Sequence, residues 1–315
     1  MNASQDDTAL SLSQRMGQAF LDSGKLSQAD IEDIVRLQAR VQIRFGEAAV
    51  RLGYLTEADV EQVLARQFNY QTASNTEFPD HPIDHQLLIA HKPQSPQAEA
   101  MRRFRAEVML RLDGSGRAEG ARLAVVSPDE GDGRSHVAAS LAIALAQQHI
   151  KTLLIDANLR KPRLHQCFEL DNKTGLSSML AGRSEPSMAS GVPVMADLRV
   201  LTSGPVPPNP IEILSGPGFG RLLEQLAGEV QVIVLDTPAM AQGADAQVIA
   251  QACGQAVLVG REGRTRVAAL QHALDDLASA RVQVLGSFYN NPQRLAATGP
   301  AWLQGLRAAL RRARG

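Results

Sequence analysis

The stretch "RLAVVSPDEGDGRSHVAASLAIALAQQ", residues 122–148, decides the fold of this 315-residue chain. It joins an apolar β-type run to an apolar helical run through a short loop that contains Gly131 and Gly133. Small residues at such a junction allow successive backbone N–H groups to surround a phosphate. We therefore predict a phosphate-binding loop between a strand and a helix.

This loop departs from the usual GxxxxGK[ST] pattern at two positions. Pro128 stands at the first glycine and Arg134 at the lysine, whereas Ser135 keeps the hydroxyl that binds Mg²⁺. Arginine retains the positive charge, but its planar fork does not replace a compact ammonium beside the γ-phosphate. The loop alone is a weak signal, and we expect nucleotide binding to survive better than turnover.

Two further strand ends carry carboxylates. The run "LLIDANLRKPRLH", residues 153–165, places Asp156 at the end of an apolar strand, and "VIVLDTPA", residues 232–239, does the same with Asp236. Strand-end carboxylates beside a phosphate loop hold the Mg²⁺ of a bound nucleotide. The alternative for either residue is a helix cap. We predict Ser135, Asp156 and Asp236 as the metal site.

The alternation of apolar β-type and helical runs predicts the domain organisation. Strands without polar alternation are buried on both faces, which indicates a parallel sheet flanked by helices. The predicted fold is α/β, a doubly wound, mostly parallel P-loop sheet preceded by a small all-helical tandem-repeat domain. The predicted boundaries are 1–72 for the helical domain, 73–95 for a linker, 96–291 for the P-loop domain and 292–315 for a basic amphipathic tail.

Four more motifs accompany the loop and the two carboxylates. They are "SPQAEAMRRFRAEV", "TGLSSMLAG", "GPVPPNPIEILS" and "VLGSFYNN", within residues 95–291. The whole set resembles the bacterial tyrosine kinases of polysaccharide export, specifically the EpsG-type chain-length-determinant kinases. Their second acidic motif is DxDxR, and Asn158 replaces its second aspartate here. One carboxylate is thus missing from the metal environment.

The resemblance implies ATP and Mg²⁺ as cofactors and assigns roles by position. Asp156 would be the base or a water-mediated metal contact, Asp236 would bind Mg²⁺ through water, and Arg134 would lie on the phosphates. These three are the implied catalytic residues. The implied nucleotide contacts are Gly131, Asp132, Gly133, Arg134, Ser135, His136 and Asn290, the last near the adenine.

The resemblance also implies a homo-oligomer and a phosphoacceptor. The family's ExxRxxR helix, here Glu99, Arg102 and Arg105, contacts a neighbouring subunit, although a solvated face with i,i+3 pairs is an alternative. The usual substrate is a C-terminal tyrosine cluster. Since no tyrosine follows residue 291, tail autophosphorylation is not possible in this sequence.

The N-terminal region contains an internal repeat. The segments "RMGQAFLDSGKLSQADIEDIVRLQ", residues 15–38, and "RFGEAAVRLGYLTEADVEQVLARQ", residues 44–67, align without gaps and predict a helix, a turn and a helix, twice. The repeat resembles the cyclic di-GMP-binding MshEN domain, with Ala49 as a departure; a protein-docking module is the alternative. The implied ligand contacts are Arg15, Gly17, Gly24, Leu26, Gln38, Arg44, Gly46, Gly53, Leu55 and Gln67.

A formal net charge of −1 excludes a global field that would recruit nucleic acid, and we expect a cytoplasmic protein. The leading hypothesis is an ATP-binding tyrosine-kinase-family protein that responds to cyclic di-GMP and regulates exopolysaccharide chain length or export. It would reach the inner membrane through a chain-length-determinant (Wzz-like) partner. The alternatives are a catalytically inactive regulatory scaffold and a partitioning-type ATPase, the latter disfavoured because Asp129 occupies its signature lysine position.

Overall fold

The computed structural model describes residues 16–56, 59–60, 63, 83–113, 120–184 and 189–291. The chain divides into two compact units, Met1–Pro79 and Asp80–Gly315. The predicted tail, residues 292–315, lies outside the described residues, as do Arg15, Gln67 and Tyr70. No helix in the described part is both long and apolar enough to cross a bilayer.

The described part of the first unit is helical. Its helices are α1 (residues 16–22), α2 (Gln28–Val41) and α3 (Phe45–Arg51), followed by helical residues at 59, 60 and 63. Their apolar faces pack together because each helix buries one stripe of its surface. The buried residues of this small core are Met16, Phe20, Leu26, Ile34, Phe45, Ala48, Ala49 and Leu55.

Two helix starts in this unit, one in each copy of the repeat, use the same cap. The amide of Asp30 donates to the Ser27 hydroxyl, and the Asp30 carboxylate accepts from the Ser27 amide at 2.8 Å. Thr56 and Asp59 repeat both bonds, with the amide of Thr56 2.9 Å from the Asp59 carboxylate. Each pair is a capping box, which satisfies two otherwise unpaired amides at a helix start. The two caps lie at equivalent positions of the repeat, which agrees with the predicted helix, turn and helix in each copy.

The second unit alternates strands and helices around one sheet. In chain order its elements are α4 (Leu88–His91), α5 (Pro96–Asp113), β1 (Ala121–Val126), α6 (Arg134–Ala146), β2 (Thr152–Asp156), α7 (Leu164–Cys167), α8 (Leu176–Leu180), β3 (Ser190–Val192), β4 (Met195–Leu201), α9 (Pro210–Ser215), α10 (Pro217–Ala227), β5 (Val232–Asp236), a 3₁₀ turn (Met240–Gln242), α11 (Asp245–Cys253), β6 (Gln255–Arg261), α12 (Val267–Ser279) and β7 (Gln283–Asn290).

The sheet has seven strands in the order β3-β4-β2-β5-β1-β6-β7. All neighbouring pairs are parallel except β3 with β4, which is antiparallel. Alternate residues of the central strands face α8 to α12 on one side, and α6 packs on β1, β2, β4 and β5. The predicted mostly parallel P-loop sheet is confirmed. The edge strand β3 was not predicted, because three residues with only Val192 buried give no apolar run.

The predicted linker, residues 73–95, differs from the structure over its second half. Residues 83–95 fold onto the P-loop domain, with Leu87 and Ile89 buried. The side-chain amide of Gln147 donates to the carbonyl of Ile89 at 3.0 Å. The correction has a simple cause, since the one short apolar run, residues 87–90, is flanked on both sides by polar residues and proline. The part before residue 83 lies outside the described residues.

Helix α5 packs against the last strand, β7. The rings of Phe104 and Phe288 meet edge to face with centroids 5.0 Å apart. The Arg111 guanidinium lies close above Gly286, where a Cβ would approach it to 3.1 Å. The first long helix and the last strand of the domain therefore share one contact surface.

Candidate nucleotide site

The ends of three adjacent strands bring the predicted site together. Asp156 at the end of β2 pairs in register with Asp236 at the end of β5. The neighbouring residue on β1 is Val125, two positions before the loop begins. Helix α6 starts at Arg134, directly after that loop. The loop, the two carboxylates and the start of a helix thus occupy one edge of the sheet, where parallel sheets bind ligands.

The loop itself presents an open row of backbone amides. Gly131 and Gly133 have φ of 85° and 97°, the left-handed region that glycine adopts without strain. Within the described part of the chain, no acceptor lies within hydrogen-bonding distance of the amides of residues 131–136. His136 is half-buried beside them, and burial lowers its pKa. Free amides at a helix start form a cradle suited to phosphate.

Asp132 supports the loop from beneath. Its carboxylate accepts from the Asp129 amide at 3.0 Å and from the Thr265 hydroxyl at 2.7 Å. Its carbonyl accepts from the side-chain amide of Asn290 at 2.9 Å. The structure therefore uses the side chains of both Asp132 and Asn290 to fix the loop, and their contacts with nucleotide stay predictions.

Arg134 is buried, with 7% of its surface exposed. Its Nε donates to the carbonyl of Thr237 at 3.0 Å, and its Nη1 donates to the carbonyl of Asp129 at 2.7 Å and to the Ser127 hydroxyl. Burial lowers the pKa of the guanidinium, and nearby carboxylates, Asp236 first, oppose that shift. Arg134 thus ties the loop to the end of β5, a role that competes with the predicted phosphate contact.

Ser135 and the two aspartates form the candidate metal site. The Ser135 hydroxyl donates to Oδ2 of Asp236, while Oδ1 of Asp236 is buried and has no hydrogen-bond partner among the described residues. Oδ2 of Asp156 accepts from the amides of Arg163 and Leu164, each at 2.9 Å, where α7 begins. The helix-cap alternative thus describes Asp156 in this structure, whereas Asp236 keeps an unused oxygen.

The two carboxyls perturb each other. Burial raises the pKa of Asp156 to about 8, and the adjacent Asp236 adds to that rise. Burial also raises the pKa of Asp236, to about 6, against the opposing Ser135 hydrogen bond and the Arg134 charge. Two such neighbours do not both ionise readily without a cation. An orphan carboxylate oxygen beside a hydroxyl fits Mg²⁺, which prefers oxygen ligands.

Asn158 closes a turn. Its side-chain nitrogen donates to the carbonyl of Lys161 at 2.9 Å, and its oxygen accepts from the Lys161 amide at 3.1 Å. Both polar atoms of the Asn158 amide are therefore used within the turn. Arg160 reaches the carboxylate of Asp245 at 3.0 Å, and Lys161 reaches Glu130 at 2.8 Å. The motif therefore also supports the site through ion pairs.

The predicted oligomer residues make contacts within their own chain. Arg102 lies 2.9 Å from the Glu99 carboxylate, which lowers the pKa of Glu99, and it also donates to the carbonyl of Pro93 at 2.7 Å. Arg105 donates to the carbonyl of Ala144 at 3.0 Å. The i,i+3 alternative is therefore observed for Glu99 and Arg102. The subunit interface stays a prediction.

The described cyclic di-GMP candidates fall into two groups. Leu26 and Leu55 are buried in the core of the first unit, and a Cβ on Gly46 would lie 2.4 Å from Val60. Both leucines pack in that core in this structure, and their apolar contact with a ligand stays a prediction. The other described candidates contribute no large side chain to that core. They are Gly17, Gly24, Gln38, Arg44 and Gly53.

Two glycines of that second group have a conformational role. Gly24 and Gly53 have φ of 69° and 77°, and a Cβ on either would meet open space. The repeat therefore places two left-handed, unobstructed backbone turns at equivalent points, which leaves a close backbone approach available at each.

Two arginines near the loop were missed from the sequence. Arg261, at the end of β6, donates through Nη1 to the carbonyl of Gly131 at 2.8 Å. The Arg264 guanidinium covers Gly131, within 3.0 Å of the position a Cβ would take. The signal was the arginine-rich run "REGRTR" directly after an apolar strand. Its meaning depends on β6 pairing with β1, which sequence order does not reveal.

Comparison with known proteins agrees with this site. A family model for ParA, described as NUBPL iron-transfer P-loop NTPase, matches residues 120–293. Tyrosine-protein kinase YwqD of Bacillus subtilis is 39% identical over 166 residues, which cover 53% of this chain and 70% of YwqD. The chain belongs to the bacterial tyrosine kinases, a family of ParA-type P-loop proteins.

Solved structures agree with this family. The kinase domain of Escherichia coli tyrosine kinase ETK superposes with a TM-score of 0.61 at 30% identity, covering 65% of this chain and 79% of that domain. The chimerical protein CapA2B2 gives a TM-score of 0.61 at 29% identity over 73% of this chain and 98% of that one. The tyrosine-kinase P-loop fold thus accounts for the sheet and for the position of the site.

Proposed function

We propose that this chain is an ATP-binding tyrosine-kinase-family protein that regulates exopolysaccharide chain length or export. One observation carries the proposal. The open amides of residues 131–136 lie beside Ser135 and a buried Asp236 oxygen that has no partner among the described residues. That combination offers hydrogen-bond donors for phosphate and oxygen ligands for a cation at one place.

Each group has a definite task. The loop amides bind phosphate oxygens, and Ser135 and Asp236 hold Mg²⁺. Asp156, whose pKa is raised by burial, takes up or releases a proton at its carboxylate near neutral pH. Bound Mg²⁺-ATP would supply the phosphoryl group for transfer. Arg134 fixes the loop against β5.

Binding and turnover are tested separately. Titration calorimetry of the full chain with Mg²⁺-ATP and Mg²⁺-ADP is expected to show binding, and Asp236→Asn is expected to weaken the Mg²⁺-dependent part. No binding at millimolar nucleotide would remove the site. Transfer of radiolabel from ATP, with and without the cytoplasmic segment of a Wzz-like membrane protein, then separates an active kinase from a scaffold.

The catalytically inactive scaffold is the second candidate, and two observations favour it. The Nε and Nη1 atoms of Arg134 donate hydrogen bonds to backbone carbonyls of the chain. Asn158 has an amide in place of a carboxylate, and that amide forms hydrogen bonds within a turn. For an inactive scaffold we expect nucleotide binding with no label transfer under either condition. Label on any protein in the mixture, lost in Asp156→Asn, would instead establish a kinase.

We further propose that the protein assembles with itself and with the membrane partner through α5. The support is the position of Glu99, Arg102 and Arg105 on one helix, although each also has a contact within the chain. Reversing the charge of both arginines should lower the mass measured by light scattering. A chain that is monomeric across protein and nucleotide concentrations would exclude the homo-oligomer. Thermal unfolding of the variant checks that loss of the Ala144 bond has not unfolded it.

The proposed signal input is cyclic di-GMP, bound by the first unit. Its support is the repeat, with left-handed turns at Gly24 and Gly53 and with Arg15 and Arg44 at equivalent positions. Arg44→Ala in the full chain should weaken binding by about tenfold or more, because a charge-assisted bond contributes roughly 1.5–3 kcal/mol. Arg51→Ala, another exposed arginine of α3, is the matched control. No binding, or equal affinity for GTP, would leave a docking element.

A further inference from the structure

We propose that Arg264 is the cation that binds the β- and γ-phosphates at this site, in the place of the missing loop lysine. The proposal rests on the proposed nucleotide binding and deepens it. The family resemblance implies that Arg134 lies on the phosphates, but the structure uses its guanidinium elsewhere. Arg134 is buried and donates to the carbonyls of Thr237 and Asp129 and to the Ser127 hydroxyl. A side chain held in this way is a brace for the loop.

Arg264 differs from Arg134 in both burial and hydrogen bonding. Its side chain is exposed, and among the described residues no acceptor lies within hydrogen-bonding distance of its guanidinium. Yet the group is not distant from the loop: its Nη1, Cζ and Nη2 lie 2.9, 3.0 and 3.0 Å from the Cβ position of Gly131. An unpaired, planar cation thus covers the phosphate loop at the point where the free amides begin. Its five donors suit phosphate oxygens.

The segment that carries Arg264 is fixed to the loop. Arg261 donates to the Gly131 carbonyl at 2.8 Å, and the Thr265 hydroxyl donates to Asp132 at 2.7 Å. Within the segment, the amide of Arg264 donates to the carbonyl of Arg261 at 3.2 Å. Two anchors, one on each side of Arg264, therefore hold its backbone against the loop. Only the side chain of Arg264 then has to be ordered when it binds an anion.

The segment that carries Arg264 also lines a cavity large enough for a small molecule. Its volume is about 530 Å³, and it is lined by Arg261, Glu262, Gly263, Arg264 and Asn291. That size is within the range of small-molecule sites, and its lining combines two guanidinium groups with one carboxylate. Asp236, with its unpartnered buried oxygen, adds a cation ligand to the same strand edge. The class that needs cations, amides and a metal ligand together is a nucleoside di- or triphosphate.

The experiment compares phosphate number across three full-length proteins: the native chain, Arg264→Gln and Arg266→Gln. Arg266 is an exposed arginine two residues away and serves as the matched control. Calorimetric titrations use ATP, ADP and AMP at low salt. Arg264→Gln should weaken ATP and ADP binding by about tenfold or more while AMP changes less than about twofold, since a hydrogen bond to a charged group has roughly that effect. Arg264→Lys should restore part of the loss.

The outcomes separate this inference from the proposed function. If the native chain binds no nucleotide, the proposed site itself fails, whatever the arginine does. If the native chain binds ATP and Arg264→Gln binds it within about twofold, Arg264 is not the phosphate cation. An equal loss for AMP and ATP, or an equal loss in Arg266→Gln, also overturns the inference. Unfolding curves without nucleotide show whether each variant is folded.

Discussion

Replacing Arg134 by lysine tests whether this residue is a structural brace. In the native chain Nε bonds the Thr237 carbonyl at 3.0 Å, while Nη1, on the other side of the fork, bonds the Asp129 carbonyl at 2.7 Å. A single terminal ammonium is expected to keep the loop contact and lose the bond to β5. One hydrogen bond to a charged group contributes roughly 1.5–3 kcal/mol. For a domain of this size, about 1 kcal/mol lowers Tm by roughly 2–4 °C, so we expect a fall of roughly 3–12 °C.

The assay is thermal unfolding of the full chain without nucleotide, with Arg266→Lys as the matched control. Arg266 is exposed, so its replacement should leave the transition unchanged. A Tm for Arg134→Lys within about 1 °C of native would show that the fork geometry does not stabilise the fold, and the brace would be rejected.

The same variant has a second readout in catalysis. A lysine in the loop restores the compact ammonium, so ATPase turnover is expected to rise even as stability falls. Turnover that is unchanged or lower would show that the loop has been shaped around arginine. The Tm is expected to fall while ATPase turnover rises, so the two measurements distinguish a loss of stability from a gain in catalysis.

Gly133→Ala should lower stability by about 1–2 kcal/mol or more, because φ is 97° and the Cβ would lie 2.1 Å from the Asn290 side-chain nitrogen. Arg160→Ala should cost about 2 kcal/mol or more, since it leaves the buried Asp245 carboxylate uncompensated. The pKa values of Asp156 and Asp236 are raised above the ordinary 3.8 in the folded chain, so between these values the folded state binds more protons than the unfolded state. The stability of the chain without nucleotide should therefore fall as the pH rises from about 4 to about 8. The slope for one proton is at most about 1.4 kcal/mol per pH unit, and Asp236→Asn should flatten it in denaturant titrations.

A second substitution tests the reason given for each of the first two losses of stability, and the pH dependence of the native chain tests the third. Adding Asn290→Ala should relieve part of the Gly133→Ala loss, and an undiminished loss would locate the strain elsewhere. Adding Asp245→Asn should recover much of the Arg160→Ala loss, and strict additivity would contradict a direct pair. A native chain whose stability rises between pH 5 and pH 8 would contradict the raised pKa values.

The sheet and two of its carboxylates were predictable because their signals are local. Asp156 and Asp236 each end an apolar run, and parallel strands place such ends at one edge of a sheet. The contacts that each site side chain makes could not be predicted in the same way, because they depend on residues far away in the sequence. Whether Arg134 faces the phosphates or the carbonyl of Thr237 depends on β5 lying beside β1, a pairing between segments about a hundred residues apart.

The misses have the same origin. Residues 83–95 read as a linker because polar residues outnumber the few buried ones, and Ile89 gains its meaning from Gln147 on α6. Arg264 follows no recognised motif, and it reaches the site only because β6 pairs with β1. In the first unit, Leu26 and Leu55 fit a ligand motif and a core equally well by spacing, and their burial follows from how the helices pack on one another.

The contact between α5 and β7 also sets the order in which the P-loop domain is completed during synthesis. Phe104 leaves the ribosome early, and its partner Phe288 belongs to the last strand of the domain. Until that strand emerges, the face of α5 that covers it has nothing to pack on, and the exposed edge of β6 has no neighbour. The aromatic face of α5 therefore stays uncovered while residues 105–287 are made, and the edge of β6 stays open until β7 follows it, a state that favours chaperone binding.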